Sequence, residues 1–221
     1  PSCGEWNTFQ EIRIAAESSS KTMRSNARNV ASISHRASIT AKAVSLRNIS
    51  TKEEPRIDTH DAELNRVLGG GLVPGSIILL GGDPGIGKST LTLQTIMNMP
   101  ERRILYVSGE ESAHQLKMRA ERIPHNQSDH VMILCETQLE NIFEEIKEVA
   151  PELIIIDSIQ TIETESTDSA PGSVSQIREC ASALLRFAKT SAIPVILIGH
   201  INKEGTIAGP KILEHIVDTV I

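Results

Sequence analysis

The stretch Gly82-Asp83-Pro84-Gly85-Ile86-Gly87-Lys88-Ser89 satisfies the spacing G-x-x-x-x-G-K-[ST] without a gap, the pattern of a phosphate-binding loop (P-loop). Glycine at 82, 85 and 87 opens backbone conformations that a Cβ closes, so that successive N–H groups can turn toward a phosphate. Lys88 supplies a point charge for the outer phosphates, and the Ser89 hydroxyl is the expected ligand of a Mg2+ bridging them. Thr90 offers a second hydroxyl. Residues Gly82 to Thr90 are therefore the candidate nucleotide-binding set, with a nucleotide and Mg2+ as the expected ligands.

Three further positions carry polar chemistry at the ends of apolar runs. Asp157 closes Leu153-Ile154-Ile155-Ile156, the place where a carboxylate in P-loop enzymes holds the Mg2+ water shell; capping of the next element is the competing role. Glu110 and Glu111 follow Ile104-Leu105-Tyr106-Val107, where a carboxylate could polarise an attacking water as general base. Glu110 is preferred over Glu111, and the competing reading is ordinary acidic charge in a first helical turn. His200 follows Val195 to Ile198 and could sense the terminal phosphate or simply be a hydrogen-bonded structural histidine. Lys88, Glu110 and His200 are the candidate catalytic residues.

The elements that must position these groups can be read from periodicity. Asp61 to Leu68 reads as a short helix stopped by Gly69-Gly70-Gly71. Apolar runs of strand length occupy Ser76–Leu80, Ile104–Val107, Val131–Leu134, Leu153–Ile156 and Val195–Ile198, and helical patterns occupy Ser89–Met99, Ser112–Arg122, Leu139–Ala150 and Val174–Ser191. Strand and helix alternate, and the strands are apolar on both faces. The expected fold is α/β, a mostly parallel sheet with helices on both sides.

Composition bounds the rest. No apolar stretch approaches the ~20 residues needed to span a bilayer, and the N-terminus has no secretory apolar region, so a cytoplasmic protein with no membrane partner is expected. Cys3, Cys135 and Cys180 do not form a disulfide framework; the latter two read as small hydrophobes in or beside buried elements, and Cys3 alone cannot close a zinc site, which needs about four ligands. Against a net charge of −6, residues 18–52 hold seven basic side chains and no acidic one. That segment reads either as a solvated linker or as an arm for a phosphate backbone.

The stretches Cys3-Gly4-Glu5-Trp6-Asn7-Thr8, Leu68-Gly69-Gly70-Gly71-Leu72-Val73-Pro74-Gly75-Ser76, Gly81 to Thr90, Val107-Ser108-Gly109-Glu110-Glu111-Ser112 and Gly199-His200-Ile201-Asn202-Lys203-Glu204-Gly205-Thr206-Ile207-Ala208-Gly209-Pro210, in this order, resemble the RadA (Sms) family of bacterial DNA repair proteins, within the RecA-like ATPases. The resemblance implies a RecA-like P-loop core that hydrolyses ATP with Mg2+ and is stimulated by single-stranded DNA. It also implies branch migration of recombination intermediates by a homo-hexameric ring, with branched DNA, recombinase and replication proteins as partners. Glu110 falls on the family's water-activating glutamate, Asp157 on its Walker B aspartate and His200 on its polar switch. The loops Thr161–Gly172 and Asn202–Gly209 fall near DNA-contacting loops. Residues 1–10 correspond to the end of a zinc finger whose last ligand is Cys3, so that Zn2+ is expected only in a full-length protein. Residues 11–54 are a basic linker, and 55–221 the ATPase core, without the Lys-Asn-Arg-Phe-Gly motif and Lon-like domain that follow in the family. A KaiC-like or replicative-helicase-like ATPase, or a nucleotide-dependent binding switch with little turnover, shares the same core motifs.

Overall fold

A computed structural model describes residues 43–48, 55–124, 129–200 and 213–221. Cys3, most of the basic segment and the loop 202–209 lie outside the described residues. The chain separates into two compact units, Pro1–Ser50 and Thr51–Ile221. In the first, residues 43–48 are exposed and carry one 3-10 turn, Leu46–Asn48.

The second unit opens with Ile57, bridged antiparallel to Leu72. Helix α1 (Ala62–Val67) follows, its Asp61 N-cap accepting from the Leu64 N–H at 2.9 Å. Then come β1 (Ile77–Gly82), α2 (Lys88–Met97), β2 (Ile104–Ser108), α3 (Ala113–Ala120), β3 (Val131–Cys135), α4 (Leu139–Val149), β4 (Leu153–Asp157), α5 (Val174–Ser191), β5 (Val195–His200) and β6 (Thr219–Val220). Helix starts carry the expected chemistry: Ser112 and Gln115 form a reciprocal capping box on α3, and Ser173 caps α5.

The six strands form one parallel sheet in the order β3-β2-β4-β5-β1-β6. Because strand side chains alternate between faces, each central strand feeds two cores. Ile77, Leu79, Leu105, Val107, Ile154, Ile156, Val195 and Leu197 pack with α4 and α5, whose Ile142, Ile146, Cys180 and Leu184 are buried. Ile78, Ile104, Tyr106, Leu153, Ile155, Ile196 and Ile198 pack with Leu93, Ile96 and Met97 of α2 and Leu116 of α3. Helices thus cover both faces, as an all-parallel sheet requires.

Three expectations change. Strand β1 starts at Ile77 and runs through Gly82, so the first P-loop glycine is still in the sheet. Strand β3 is not buried on both faces: Met132, Ile133 and Cys135 are exposed, because β3 is the outermost strand and has only β2 beside it. Cys135 is therefore an exposed thiol rather than a buried hydrophobe, whereas Cys180 is buried and its thiol is pushed up to about 12 by burial. Strand β6 has no sequence signal. Its entry is fixed by Asp218, whose carboxylate accepts from the Ile77 N–H (2.8 Å) and from Lys189 Nζ (2.8 and 2.7 Å).

Candidate active site

The loop between β1 and α2 owes its shape to two glycines. Gly85 (φ 78°) and Gly87 (φ 103°) occupy the left-handed region with open space where a Cβ would stand, the conformation glycine adopts without penalty. Gly82 was expected to act the same way but does not. It is an extended strand residue whose Cβ would press on Ile86 Cγ2 at 3.3 Å, while Lys88 Cδ at 3.5 Å is at ordinary contact distance. Lys88, the first residue of α2, is buried and its Nζ donates to the carbonyls of Gly82 (2.8 Å) and Asp83 (2.9 Å). Burial lowers its pKa, opposed by the charges of Asp157, Asp83 and Glu110.

Asp157 is also buried, at the end of β4. Its Oδ2 accepts from the hydroxyl of Tyr106 at 2.5 Å; burial first, and then the Asp157 charge, push that phenol well above its ordinary range. The peptide linking Asp157 to Ser158 is cis.

Beyond β2, Glu110 meets residues from two other strand ends. Its Oε1 accepts from Ser158 Oγ (2.5 Å) and lies 3.1 Å from His200 Nε2. Burial alone would raise its pKa, but the hydrogen bonds from Ser158 and His200 and the charges of His200 and Lys88 hold the carboxyl below its ordinary value. Glu111 points elsewhere, to Arg119 Nη2 at 2.7 Å. The structure therefore separates the two carboxylates that sequence left as alternatives: Glu110 joins His200 and Ser158, Glu111 joins Arg119.

Glu110 reaches this place because Gly109 lets β2 run against the next loop. A Cβ on Gly109 would stand 2.1 Å from Thr161 Oγ1 and 2.7 Å from Thr161 Cβ. The hydroxyl of Thr161 in turn donates to the Ser158 carbonyl at 2.8 Å.

Gly85, Gly87, Lys88, Ser89, Thr90, Glu110, Glu111, Arg119 and His200 line one cleft of about 270 Å³. An open glycine turn, a lysine ammonium, two hydroxyls and a helix N-terminus in one cleft fit a nucleotide phosphate chain. Ser89 lines that cleft, and the buried Asp157, whose charge acts on Lys88, ends β4; a hydroxyl and a carboxylate are oxygen donors of the kind that suit a Mg2+ keeping most of its ligands as water and phosphate oxygen. Among the described residues no group of three or more His, Cys, Asp and Glu could hold a metal ion by itself, and no helix is long and apolar enough to cross a membrane. Tyr106, Ser158, Thr161 and Arg119 were missed by sequence reasoning. Tyr106 left a trace, being the chain's one tyrosine in an otherwise aliphatic strand.

Comparison with known proteins agrees with this geometry. The family described as AAA domain matches residues 45–206. DNA repair protein RadA of Halalkalibacterium halodurans is 48% identical over 223 residues, and that of Bacillus subtilis 49% identical over 224, each alignment covering 100% of this chain and 47% of the relative. RadA of Escherichia coli is 45% identical over 98% of this chain and 46% of its own. The chain thus spans about half the length of these relatives. Among solved structures, the KaiC-like protein PH0186 of Pyrococcus horikoshii superposes with a TM-score of 0.60, covering 75% of this chain and 79% of its own at 20% identity, which shows a shared fold. The fold is the α/β, RecA-like P-loop arrangement, the sequence is RadA-like along its whole length, and the chain belongs to the AAA domain family.

Proposed function

We propose that this chain is the ATP-hydrolysing core of a DNA repair motor that binds ATP with Mg2+ at residues 82–90 and turns it over in response to single-stranded DNA. The observation that carries the reading is the convergence of the P-loop, Asp157, Glu110 and His200 from four parallel strands at one sheet edge, the carboxyl-end crevice where open α/β sheets bind ligands.

In this reading the P-loop amides and Lys88 bind the phosphates, and Ser89 and Asp157 would hold a Mg2+, which would supply charge neutralisation of the phosphates. Glu110 is the general base. Its Oε1 is engaged by Ser158 and His200, which leaves Oε2 to accept the proton as a water oxygen bonds to the γ-phosphorus and the bond to the ADP oxygen breaks. A carboxylate held ionised, oriented by two donors and within reach of water is suited to that task. His200, bonded to Glu110 and placed just before the loop 202–209, is the group that reports loss of the γ-phosphate. That the relatives are DNA repair proteins supports DNA as the substrate class, and branch migration by a hexameric ring, with Zn2+ at Cys3 in a full-length protein, belongs to the same proposal.

The test is equilibrium binding of ATP together with phosphate release with and without single-stranded DNA, in the wild type and in Lys88→Ala. Loss of the ammonium removes a charge-assisted contact and weakens ATP binding by about ten- to a hundredfold. Unchanged binding and turnover in Lys88→Ala would remove the P-loop from the chemistry. Turnover indifferent to DNA would leave a nucleotide switch rather than a motor.

A further inference from the structure

One cation of the cleft is unused by the scheme above. Arg119 lies in the last turn of α3 and lines the same cleft as Lys88, Ser89 and Thr90. Its Nη2 sits 2.7 Å from Glu111 Oε1, with side-chain exposures of 31% and 22%. This is the least exposed arginine–carboxylate pair among the described residues; the others, on Glu63, Glu152 and Glu179, are more open on both sides. The exposed pairs contribute little to stability; this half-buried one has both partners in the lining of the cleft.

The two partners are held differently. Glu111 is anchored through its backbone: its N–H donates to Ser108 Oγ (3.0 Å) and its carbonyl accepts from Cys135 Sγ (3.4 Å). Arg119 is a long side chain on a capped helix, and a guanidinium has five donors in a planar fork suited to phosphate oxygens. The cleft lining holds two carboxylates, Glu110 and Glu111, against Lys88 and Arg119. A polyphosphate entering it carries several negative charges, so it repels Glu111 and competes with that single carboxylate for Arg119.

Resting on the nucleotide-binding reading above, we propose that Arg119 contacts the phosphate chain of the bound nucleotide and that Glu111 is its resting counter-ion. Nucleotide affinity then contains the exchange of one guanidinium partner for another, and Glu111 serves neither as base nor as metal ligand.

The experiment measures dissociation constants of ADP and of inorganic tripolyphosphate for the wild type, Arg119→Gln, Arg119→Lys, Glu111→Gln, the double variant Arg119→Gln/Glu111→Gln and Lys88→Ala, with melting temperature recorded for each. Arg119→Gln weakens both ligands by about tenfold, as expected for one charge-assisted contact, and Arg119→Lys recovers part of the loss. Glu111→Gln tightens both ligands severalfold, and the loss on Arg119→Gln is larger in that background than in the wild type. If Arg119→Gln does not fold, Arg119→Lys and Glu111→Gln carry the same test. The proposal is overturned if the Arg119 variants bind both ligands within twofold of the wild type while Lys88→Ala loses them, which keeps the nucleotide site and removes Arg119 from it. A loss confined to ADP, with tripolyphosphate unchanged, overturns the phosphate contact. If the wild type binds neither ligand, the nucleotide reading falls as well.

Discussion

Gly109→Ala tests whether the backbone path that delivers Glu110 depends on a missing Cβ. The added atom would stand 2.1 Å from Thr161 Oγ1 and 2.7 Å from Thr161 Cβ, with Thr137 Cγ2 at 3.2 Å. Contacts below 3 Å cannot persist, so the Thr161 turn or β2 must move. Overpacking of this kind costs about 1–3 kcal/mol. Displacing Thr161 also loses the 2.8 Å bond from its hydroxyl to the Ser158 carbonyl, a further ~1 kcal/mol. The sum, about 2–4 kcal/mol, corresponds to a fall in melting temperature of roughly 4–16 °C for a chain of this size. Urea unfolding of four proteins measures it: wild type, Gly109→Ala, Thr161→Ala and the double variant. Thr161→Ala removes the closest clashing atom but keeps the Cβ, so it restores part of the loss and the two substitutions couple by about 1 kcal/mol or more. Gly109→Ala with stability within 0.5 kcal/mol of the wild type, or strictly additive effects in the double variant, would refute the close-approach argument.

Two further outcomes follow from the buried end of the site. Tyr106→Phe strips the hydroxyl that donates to the buried Asp157; it destabilises the fold by about 1–3 kcal/mol, read by chemical unfolding, because a buried acceptor loses its partner. Glu110 has a folded-state pKa below its ordinary 4.5, so its contribution to stability is present above that value and is lost as pH falls through the lower, folded one. Ser158→Ala removes one of the donors responsible, so the Glu110 carboxyl, followed by NMR titration, moves upward toward 4.5; no upward movement would mean that the Ser158 contact does not hold the charge.

How much of this was legible in sequence divides along the range of the interactions. The P-loop, the glycine stop after α1 and the alternation of strand and helix are local patterns, and they appear where the residue types place them. What sequence left open are pairings across 48 to 90 residues: Ser158 with Glu110 and His200 with Glu110. Those depend on which strands are neighbours. Gly82 shows the limit of residue-type reasoning in a small way. Its glycine character was read as conformational freedom, yet its φ lies outside the left-handed region and the tight neighbour of a Cβ there is the Ile86 side chain. Strand β6, two residues long, carries too few side chains to announce a period, and is placed by the Asp218 carboxylate instead.

The register of the sheet supplies the reason the site assembles at all. Asp157 is level with Ser108 on one side and with Ile198 on the other, and Gly82 is level with His200. Glu110 lies two residues beyond Ser108, and His200 two beyond Ile198, so both rise to the same height above the row that Asp157 ends. Strand β4 separates them, but the chain leaves it at Asp157, and the side chain that fills the gap is Ser158, which meets Glu110 from below. Strand β5, inserted between β1 and β4, is thus the element that sets the distance from the P-loop to Glu110. A slip of one residue in its pairing would turn His200 to the other face, and the Glu110 carboxylate would lose its contact with His200 Nε2.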